Sequence, residues 1–375
     1  MWVFFIKLQE SIHSRSQIII ILFCFLLSFL FIGVPFTTHK IKCSDNVSIS
    51  AWMIHQKTPQ QAPTIIYFHG NAGNIGLRLP NAVQMYHNLG CNVFLVEYRG
   101  YGDSDDAKPN EKGLKLDAEA AYQYLLSSSM TGESYIDTNN IFVFGRSLGG
   151  AVAFHLAKYA EITLQRPLRG ILVENTFTSI SKMVDHLMPA ISPLKFLVLR
   201  MDWNSERLAP FLQTPILYLA GDKDELVPHS HMVDLYQKSK QRSVYTKMHV
   251  IRGGTHNESW VQGGRSYYQA IKSFMSHVVL HGDDLIKNAL ITNTNNMMDQ
   301  SVSSLDECDR RSSLDATCTS VSSMEVSMGG ERSDIDNDTH NGAIPIMPKT
   351  IAGMAKEATK LFTSEKSIEK KKKQI

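Results

Sequence analysis

The feature that most constrains this chain is an alternation of short β-rich runs with longer helix-like stretches from residue 47 onward. Several runs, including Thr64 to Phe68 and Ile141 to Phe144, are nearly continuously apolar, as expected for strands covered by helices on both faces. Alternation of this kind favours crossover connections and a mainly parallel sheet. The pattern therefore predicts a doubly wound α/β domain over residues 39–283.

The predicted strands are Val47–His55, Thr64–Phe68, Asn92–Glu97, Ile141–Phe144, Gly170–Val173, Pro215–Ala220 and Lys247–Ile251. The predicted helices are Leu79–Leu89, Gly113–Leu126, Leu148–Tyr159, His229–Ser239 and Ser259–Val279. Residues 175–214 form a longer connection that contains Pro189, Pro193 and an apolar run. We expect this connection to form a small cap over the sheet, with a plain linker and helix as the alternative.

Residues 17–38 carry no charge and are rich in Ile, Leu and Phe. A segment of this length approaches the ~30 Å hydrocarbon core of a bilayer, which predicts one transmembrane anchor helix after a short flank at 1–16. A cleaved signal peptide is the alternative, but the apolar run exceeds the usual length of such peptides. Orientation stays open, because Lys7 and Arg15 precede the segment while Lys40 and Lys42 follow it.

The last segment, residues 284–375, is rich in Ser, Thr, Asn and Asp and ends in a basic run, Lys370 to Lys373. Such a composition buries too little apolar surface to offset the entropy of ordering, so we expect a disordered tail. Asn-x-Ser/Thr sites at Asn46, Asn257 and Asn337 would be glycosylated only in a lumenal chain. Two basic motifs of the tail, Arg310–Ser313 and Lys372–Ile375, would act only in the cytosol, and chance explains both sets at least as well.

The formal net charge of +2, with no large excess of either sign, argues against nucleic-acid binding as the function of this chain. Its five cysteines are too few and too scattered for a disulfide framework or a zinc site. We therefore expect neither a metal nor a cofactor.

The sharpest motif is Gly145-Arg146-Ser147-Leu148-Gly149, which lies between an apolar strand and a helix-like stretch. A serine hydroxyl needs an exposed position, a base and nearby donors before it can act as a nucleophile. A tight strand-to-helix turn exposes the hydroxyl and points the next backbone amide at the reacting oxygen. The motif therefore predicts Ser147 as the nucleophile and the Leu148 amide as an oxyanion donor, with a structural turn as the alternative.

A second loop follows the strand Thr64–Phe68 and runs from His69 to Asn74. Its glycines predict a backbone that offers free amides, and the amide of Asn71, or that of Ala72, is the expected second oxyanion donor. A phosphate-binding loop is the alternative, but no Gly-Lys-Ser/Thr follows. We expect His69 to shape the loop.

An acid and a histidine follow later strands. Asp222 and Asp224 come after Pro215–Ala220, and His256 comes after Lys247–Ile251. Serine, acid, histidine is the chain order of α/β-hydrolases, and the carboxyl ends of parallel strands meet at one edge of a sheet. The placement predicts a catalytic triad and leaves the choice between the two aspartates open.

Five motifs together carry a family resemblance: Tyr67–Asn74, Tyr98–Gly102, Gly145–Ala153, Val173–Phe177 and Gly254–Asn257. With them, residues 18–280 resemble the membrane-anchored serine hydrolases of the α/β-hydrolase superfamily. The resemblance implies that fold and a single-pass type II membrane protein whose substrate is poorly defined. It also maps the acid onto Asp224 through a Gly-x-x-Asp-x-x-Val-Pro pattern. It implies nothing about the tail.

The expected function is hydrolysis of an acyl ester, thioester or amide by Ser147, Asp224 and His256. A bilayer beside the domain favours an acyl-bearing small molecule, a lipid or an acylated protein as substrate. The alternative is a catalytically silent membrane-tethered scaffold, which would have no reason to retain the complete set of residues. Three other motifs are expected to be structural or to line the pocket: Arg99–Ser104, Glu174–Thr176 and His229–Asp234.

Overall fold

The computed structural model describes residues 34–130, 136–187, 201–282 and 284. Eight strands in this range form one sheet, in the order β1-β2-β4-β3-β5-β6-β7-β8. Their bounds are β1 Phe36–Lys42, β2 Ser48–Ile54, β3 Thr64–Phe68, β4 Asn92–Val96, β5 Ile141–Arg146, β6 Gly170–Glu174, β7 Ile216–Gly221 and β8 Thr246–Ile251.

Helices connect the strands. Their bounds are α1 Ile75–Leu89, α2 Glu111–Met130, α3 Leu148–Lys158, α4 Ile180–Leu187, α5 Ser205–Leu208, α6 His229–Ser239, α7 Ser259–Gln262 and α8 264–282. Short 3₁₀ turns occupy Pro59–Gln61 and Ala209–Phe211, and a π-turn occupies Tyr159–Thr163. The predicted α/β-hydrolase fold, with a mainly parallel sheet and helices, is confirmed.

Both faces of the sheet are buried at its central strands, β3 to β7, which explains their nearly continuous apolar sequences. In β3, Ile66 and Phe68 belong to a core shared with α2, α3 and α6, whereas Ile65 and Tyr67 belong to a core shared with α1 and α8. Successive side chains of a strand point to opposite faces. A central strand of this sheet, such as β3, is therefore apolar at nearly every position.

Among the described strands, β1 is the one that the sequence pattern does not predict. It pairs antiparallel with β2, so that Phe36 lies opposite Ile54 and Lys42 lies opposite Ser48. Because β2 is itself antiparallel to β4, β1 runs in the same direction as the parallel strands. The chain therefore begins β1 at the edge that holds the amino ends of those strands.

Three elements differ clearly from their predicted bounds. Helix α1 begins at Ile75 instead of Leu79, because the Asn74 side chain accepts a hydrogen bond from the Leu77 amide at 3.2 Å and caps the helix. The predicted helix Ser259–Val279 is divided at Gly263 into α7 and α8. Strand β5 extends two positions beyond its predicted end because Gly145 and Arg146 pair with β6.

The predicted membrane segment lies outside the described residues up to position 33, and its last predicted residues, Phe36–Thr38, belong to β1. No helix within the described part of the chain has the length and apolarity needed to cross a membrane. The predicted tail, apart from Asp284, also lies outside that part. Of the predicted cap, α4 and α5 are described; α5 packs near α3 and α6.

Candidate active site

Ser147 occupies a sharp turn between β5 and α3. Its backbone has φ +54° and ψ −118°, a left-handed φ that a residue with a side chain adopts only at a cost. The turn needs glycine on both sides, because a Cβ on Gly145 would lie 2.0 Å from the Gly149 carbonyl oxygen, and one on Gly149 would lie 2.1 Å from that of Phe68. Such a turn presents the Ser147 hydroxyl above the carboxyl edge of the sheet.

The end of β6 holds the backbone of this turn in place. The Ser147 amide donates to the Glu174 carbonyl oxygen at 3.0 Å, and the Thr176 hydroxyl donates to the Ser147 carbonyl oxygen at 2.7 Å. Both Glu174 and Thr176 are fully buried. Hydrogen bonds from these two buried residues therefore hold the strained backbone of Ser147 in its conformation.

Asp224 and His256 meet at the same edge of the sheet. His256 Nδ1 lies 2.8 Å from Asp224 Oδ2 and 3.0 Å from Oδ1. Because a carboxylate only accepts, Nδ1 carries the proton, which leaves Nε2 with a free lone pair. Asp224 is itself held by the amides of Leu226 and Val227, which donate to Oδ1 at 2.9 and 2.8 Å.

The structure separates the two aspartates that the sequence left as alternatives. Asp222 is exposed, and its Oδ1 accepts a hydrogen bond from the Gly253 amide at 2.7 Å. The Asp224 side chain is 2% exposed and contacts the imidazole. Asp222 therefore supports the turn before His256, while Asp224 can orient the imidazole.

Asn175 is a residue whose role the sequence did not reveal. Its Nδ2 donates to the carbonyl oxygens of Thr255 and His256 at 3.0 and 3.1 Å and to the Ser259 hydroxyl at 3.0 Å. Its Oδ1 accepts from the Gly221 amide at 2.8 Å. One buried side chain therefore joins the end of β7, which leads to Asp224, to the loop that carries His256.

Arg146, the residue before the nucleophile, is buried in a polar cluster. Its guanidinium donates to Glu174 at 3.1 Å and to the Asn257 carbonyl oxygen at 3.5 Å, while the Tyr267 hydroxyl donates to Glu174 at 2.6 Å. Burial alone would lower the pKa of Arg146, but the Glu174 carboxylate more than offsets this and raises it. Arg146 therefore stays charged and links the nucleophile turn to the histidine loop.

The second predicted donor loop, residues 69–74, lies beside the nucleophile. A Cβ on Gly70 would lie 3.6 Å from the Cβ of Ser147. Asn71 is exposed. Leu148 is the first residue of α3, so its amide has no partner within the helix. Among the described residues, no group accepts a hydrogen bond from the backbone amide of Asn71 or of Leu148. Both amides are available to an oxyanion.

The first residues of the two remaining motifs contact other parts of the fold and not the triad. Arg99 pairs with Asp117 at 2.9 Å and contacts Asp45. His229 Nδ1 lies 3.3 Å from the Gly221 carbonyl oxygen.

Among the described residues, no hydrogen bond joins the Ser147 hydroxyl to His256. In unliganded hydrolases this bond is commonly long and tightens when substrate binds. The described part of the chain contains no cluster of His, Cys, Asp and Glu side chains that could hold a metal ion.

The chain is similar to known proteins over most of the described domain. The sequence profile of the prolyl oligopeptidase family matches residues 78–281. The α/β-hydrolase domain-containing protein WAV2 of Arabidopsis thaliana is 37% identical over 248 residues, which cover 63% of this chain and 77% of that protein. An uncharacterized membrane protein of Saccharomyces cerevisiae is 34% identical over 246 residues, covering 65% of this chain and 80% of that protein.

Among solved structures, an esterase of Pyrococcus furiosus matches with a TM-score of 0.54 at 17% identity. The match covers 66% of this chain and 93% of the esterase. At 17% identity, this likeness shows only that the two chains share a fold.

Proposed function

The chain belongs to the prolyl oligopeptidase family and is a serine-type α/β-hydrolase, and on that premise we propose that it cleaves acyl esters, thioesters or amides with Ser147, Asp224 and His256. The observation that carries the proposal is the contact between Asp224 and His256 at the edge where the strained Ser147 turn lies. Family membership supports hydrolysis as the reaction, and this geometry supports the choice of residues.

The mechanism follows from the atoms available. His256 Nε2 takes the proton of the Ser147 hydroxyl, and the oxygen attacks the acyl carbonyl carbon. The amides of Asn71 and Leu148 bind the oxyanion of the tetrahedral intermediate. The histidinium, which Asp224 stabilises through Nδ1, then protonates the leaving group. Water attacks the acyl-enzyme by the same route and frees the serine.

The test is the variant Ser147→Ala with a fluorophosphonate probe, which phosphonylates an activated serine. We expect the wild-type protein to be labelled and to hydrolyse p-nitrophenyl esters, and the variant to lose both by at least about 10³-fold. Labelling of the variant at the wild-type level would refute Ser147 as the nucleophile. A wild-type protein that is neither labelled nor active would favour the scaffold alternative.

The substrate class is proposed on two grounds. Esterases share this fold, and a bilayer beside the domain would supply acyl chains. A panel of short esters, long-chain lipid esters, acyl-thioester peptides and amides tests this choice. Rates that rise with acyl length would support an acyl-lipid or acylated-protein substrate; activity confined to short polar esters would contradict it.

Membrane attachment is part of the proposal. It is supported by the uncharged segment 17–38 and by the relative that is named as a membrane protein. The motif set further resembles α/β-hydrolase domain-containing protein 13, which implies a type II orientation. In that orientation the exposed Asn46 would be lumenal and open to glycosylation. A mobility shift with endoglycosidase would support this orientation, and digestion of the carboxyl terminus in intact microsomes would contradict it.

A further inference from the structure

The donor loop, residues 69–74, has exposed residues at its centre and buried residues at its ends. Asn71 to Asn74 are exposed, whereas His69 and Ile75 are buried. A loop of this kind needs contacts that fix the direction of its amides, because a misplacement of about 1 Å can reduce a rate about 10²-fold. The residues that follow β4 supply such contacts.

Glu97 contacts the loop at both ends. Its Oε1 lies 3.0 Å from His69 Nε2, and its Oε2 accepts a hydrogen bond from the Ile75 amide at 3.1 Å. The carboxylate packs so closely that a Cβ on Gly102 would lie 2.2 Å from Oε2. Glu97 is 2% exposed and His69 is fully buried. One carboxylate thus links the first residue of the loop to the first residue of α1.

The proton arrangement at His69 makes this contact specific. His69 Nδ1 lies 2.7 Å from the Gly70 carbonyl oxygen, which only accepts, so Nδ1 is the donor. Nε2 and Glu97 Oε1 are both inaccessible to solvent and have no other partner among the described residues. Their 3.0 Å separation allows a proton to be shared between them, which would satisfy both buried atoms. The pair therefore links the Gly70 carbonyl oxygen, through the imidazole, to Glu97.

Two tyrosines extend these contacts. The Tyr98 hydroxyl donates to the His69 carbonyl oxygen at 3.0 Å, and the Tyr101 hydroxyl donates to the Asn71 carbonyl oxygen at 2.9 Å. Burial, and to a smaller degree the charge of Glu97, raises the pKa of Tyr101, so its hydroxyl remains a donor at neutral pH. The His69 ring contacts both tyrosine rings.

We propose that Glu97 and Tyr101 are positioning residues for catalysis, which aim the Asn71 amide at the oxyanion by holding the ends and the centre of the loop at 69–74. This inference rests on the proposed function. It assigns a catalytic task to the segment after β4, which the sequence pattern marked as a structural rim.

The test compares Glu97→Gln with a matched control, Asp117→Asn. Asp117 is also a fully buried carboxylate, and it pairs with Arg99, but it makes no contact with the loop at 69–74. We expect Glu97→Gln to lower kcat about 10-fold with KM within about twofold of wild type. Its affinity for a trifluoromethyl ketone, which forms the tetrahedral oxyanion, should fall by the same factor as kcat/KM. The control should lose thermal stability and keep kcat.

Hydrogen exchange gives a readout that does not need activity. Amides of residues 69–77 should exchange several-fold faster in Glu97→Gln and at the wild-type rate in Asp117→Asn. If Glu97→Gln shows no cooperative melting transition, Tyr101→Phe replaces it, with about a threefold loss in kcat and faster exchange in the same peptide.

The outcomes separate the two claims. Equal losses of kcat in the Glu97 variant and the control, or unchanged kcat and exchange in the Glu97 variant, would overturn the positioning role and leave the proposed function intact. A wild-type protein without Ser147-dependent turnover would overturn the proposed function. In that case faster exchange confined to the Glu97 variant would still support the loop contacts, and its absence would refute them.

Discussion

The loops on the two sides of Ser147 are held in different ways. On the side of β6 to β8, Gly254, His256 and Ser259 are buried, and the Asn175 side chain bonds the loop backbone directly. On the side of β3 and β4, the centre of the donor loop is exposed; Glu97 holds the loop at its ends, and the Tyr101 hydroxyl holds the Asn71 carbonyl oxygen. The histidine acts through a side chain, whose direction must be fixed by packing. The donor loop acts through backbone amides, which must stay open to the substrate.

The largest expected effect lies on the histidine side. Asp224→Asn should lower kcat about 10²–10⁴-fold, because an amide donor opposite Nδ1 favours the wrong tautomer of His256. The matched variant Asp222→Asn weakens only the bond from the Gly253 amide, so kcat should fall no more than a few-fold. Steady-state kinetics of the two variants decide; an equal or larger loss at Asp222 would refute the assignment of the acid.

An intermediate effect tests whether Asn175 holds the histidine loop. Asn175→Asp keeps the acceptor for the Gly221 amide and tolerates the left-handed φ of +47°, but it loses the donor to Thr255 and His256. We expect about a 10²-fold lower kcat and a melting temperature lower by several degrees, measured by kinetics and calorimetry.

The control for Asn175 lies at the opposite edge of the sheet. Asn92 is equally buried; its Nδ2 donates to Pro59, Ala62 and Thr64, and its Oδ1 accepts from a backbone amide. Asn92→Asp should lower the melting temperature by a similar amount and leave kcat within about twofold. Equal losses of kcat in both variants would mean that Asn175 matters only for stability.

The smallest effect is expected on the donor side. Asn71→Ala keeps the backbone amide that is proposed to bind the oxyanion and removes only an exposed side chain with a 3.4 Å contact to Tyr101. We expect kcat within about twofold of wild type in the same assay. A loss above 10-fold would show that the Asn71 side chain, and not its amide alone, takes part in the reaction.

The sequence predicts the parts of this site that depend on strand order. Ser147, the acid and His256 follow from the rule that parallel strands end at one edge, and the choice of Asp224 came from a family pattern. Spacing alone does not separate it from Asp222, because the difference lies in where each side chain points. Asn175 was recognised as a strand-end residue, but its partner Thr255 is 80 positions away. No local signal connects them.

Strand β1 was missed for a related reason. Its burial alternates poorly, with most residues exposed at the edge of the sheet, and it is defined by pairing with β2 rather than by its own composition. Its first residues also continue the uncharged segment, which favours assigning them to that segment. Edge strands of this kind are recognised only once their partner strand is placed.

The direction of β1 has a consequence for how substrate reaches Ser147. Phe36 lies at the edge of the sheet with the strand amino ends, and the nucleophile lies at the other edge. The chain before Pro35 joins the domain about 20 Å from the carboxyl ends of the parallel strands, because a strand of this kind is about that long. With a bilayer attached there, the reacting edge would face the aqueous phase. Of the substrates proposed above, an acylated protein would then reach Ser147 directly, whereas a lipid would first have to leave its leaflet.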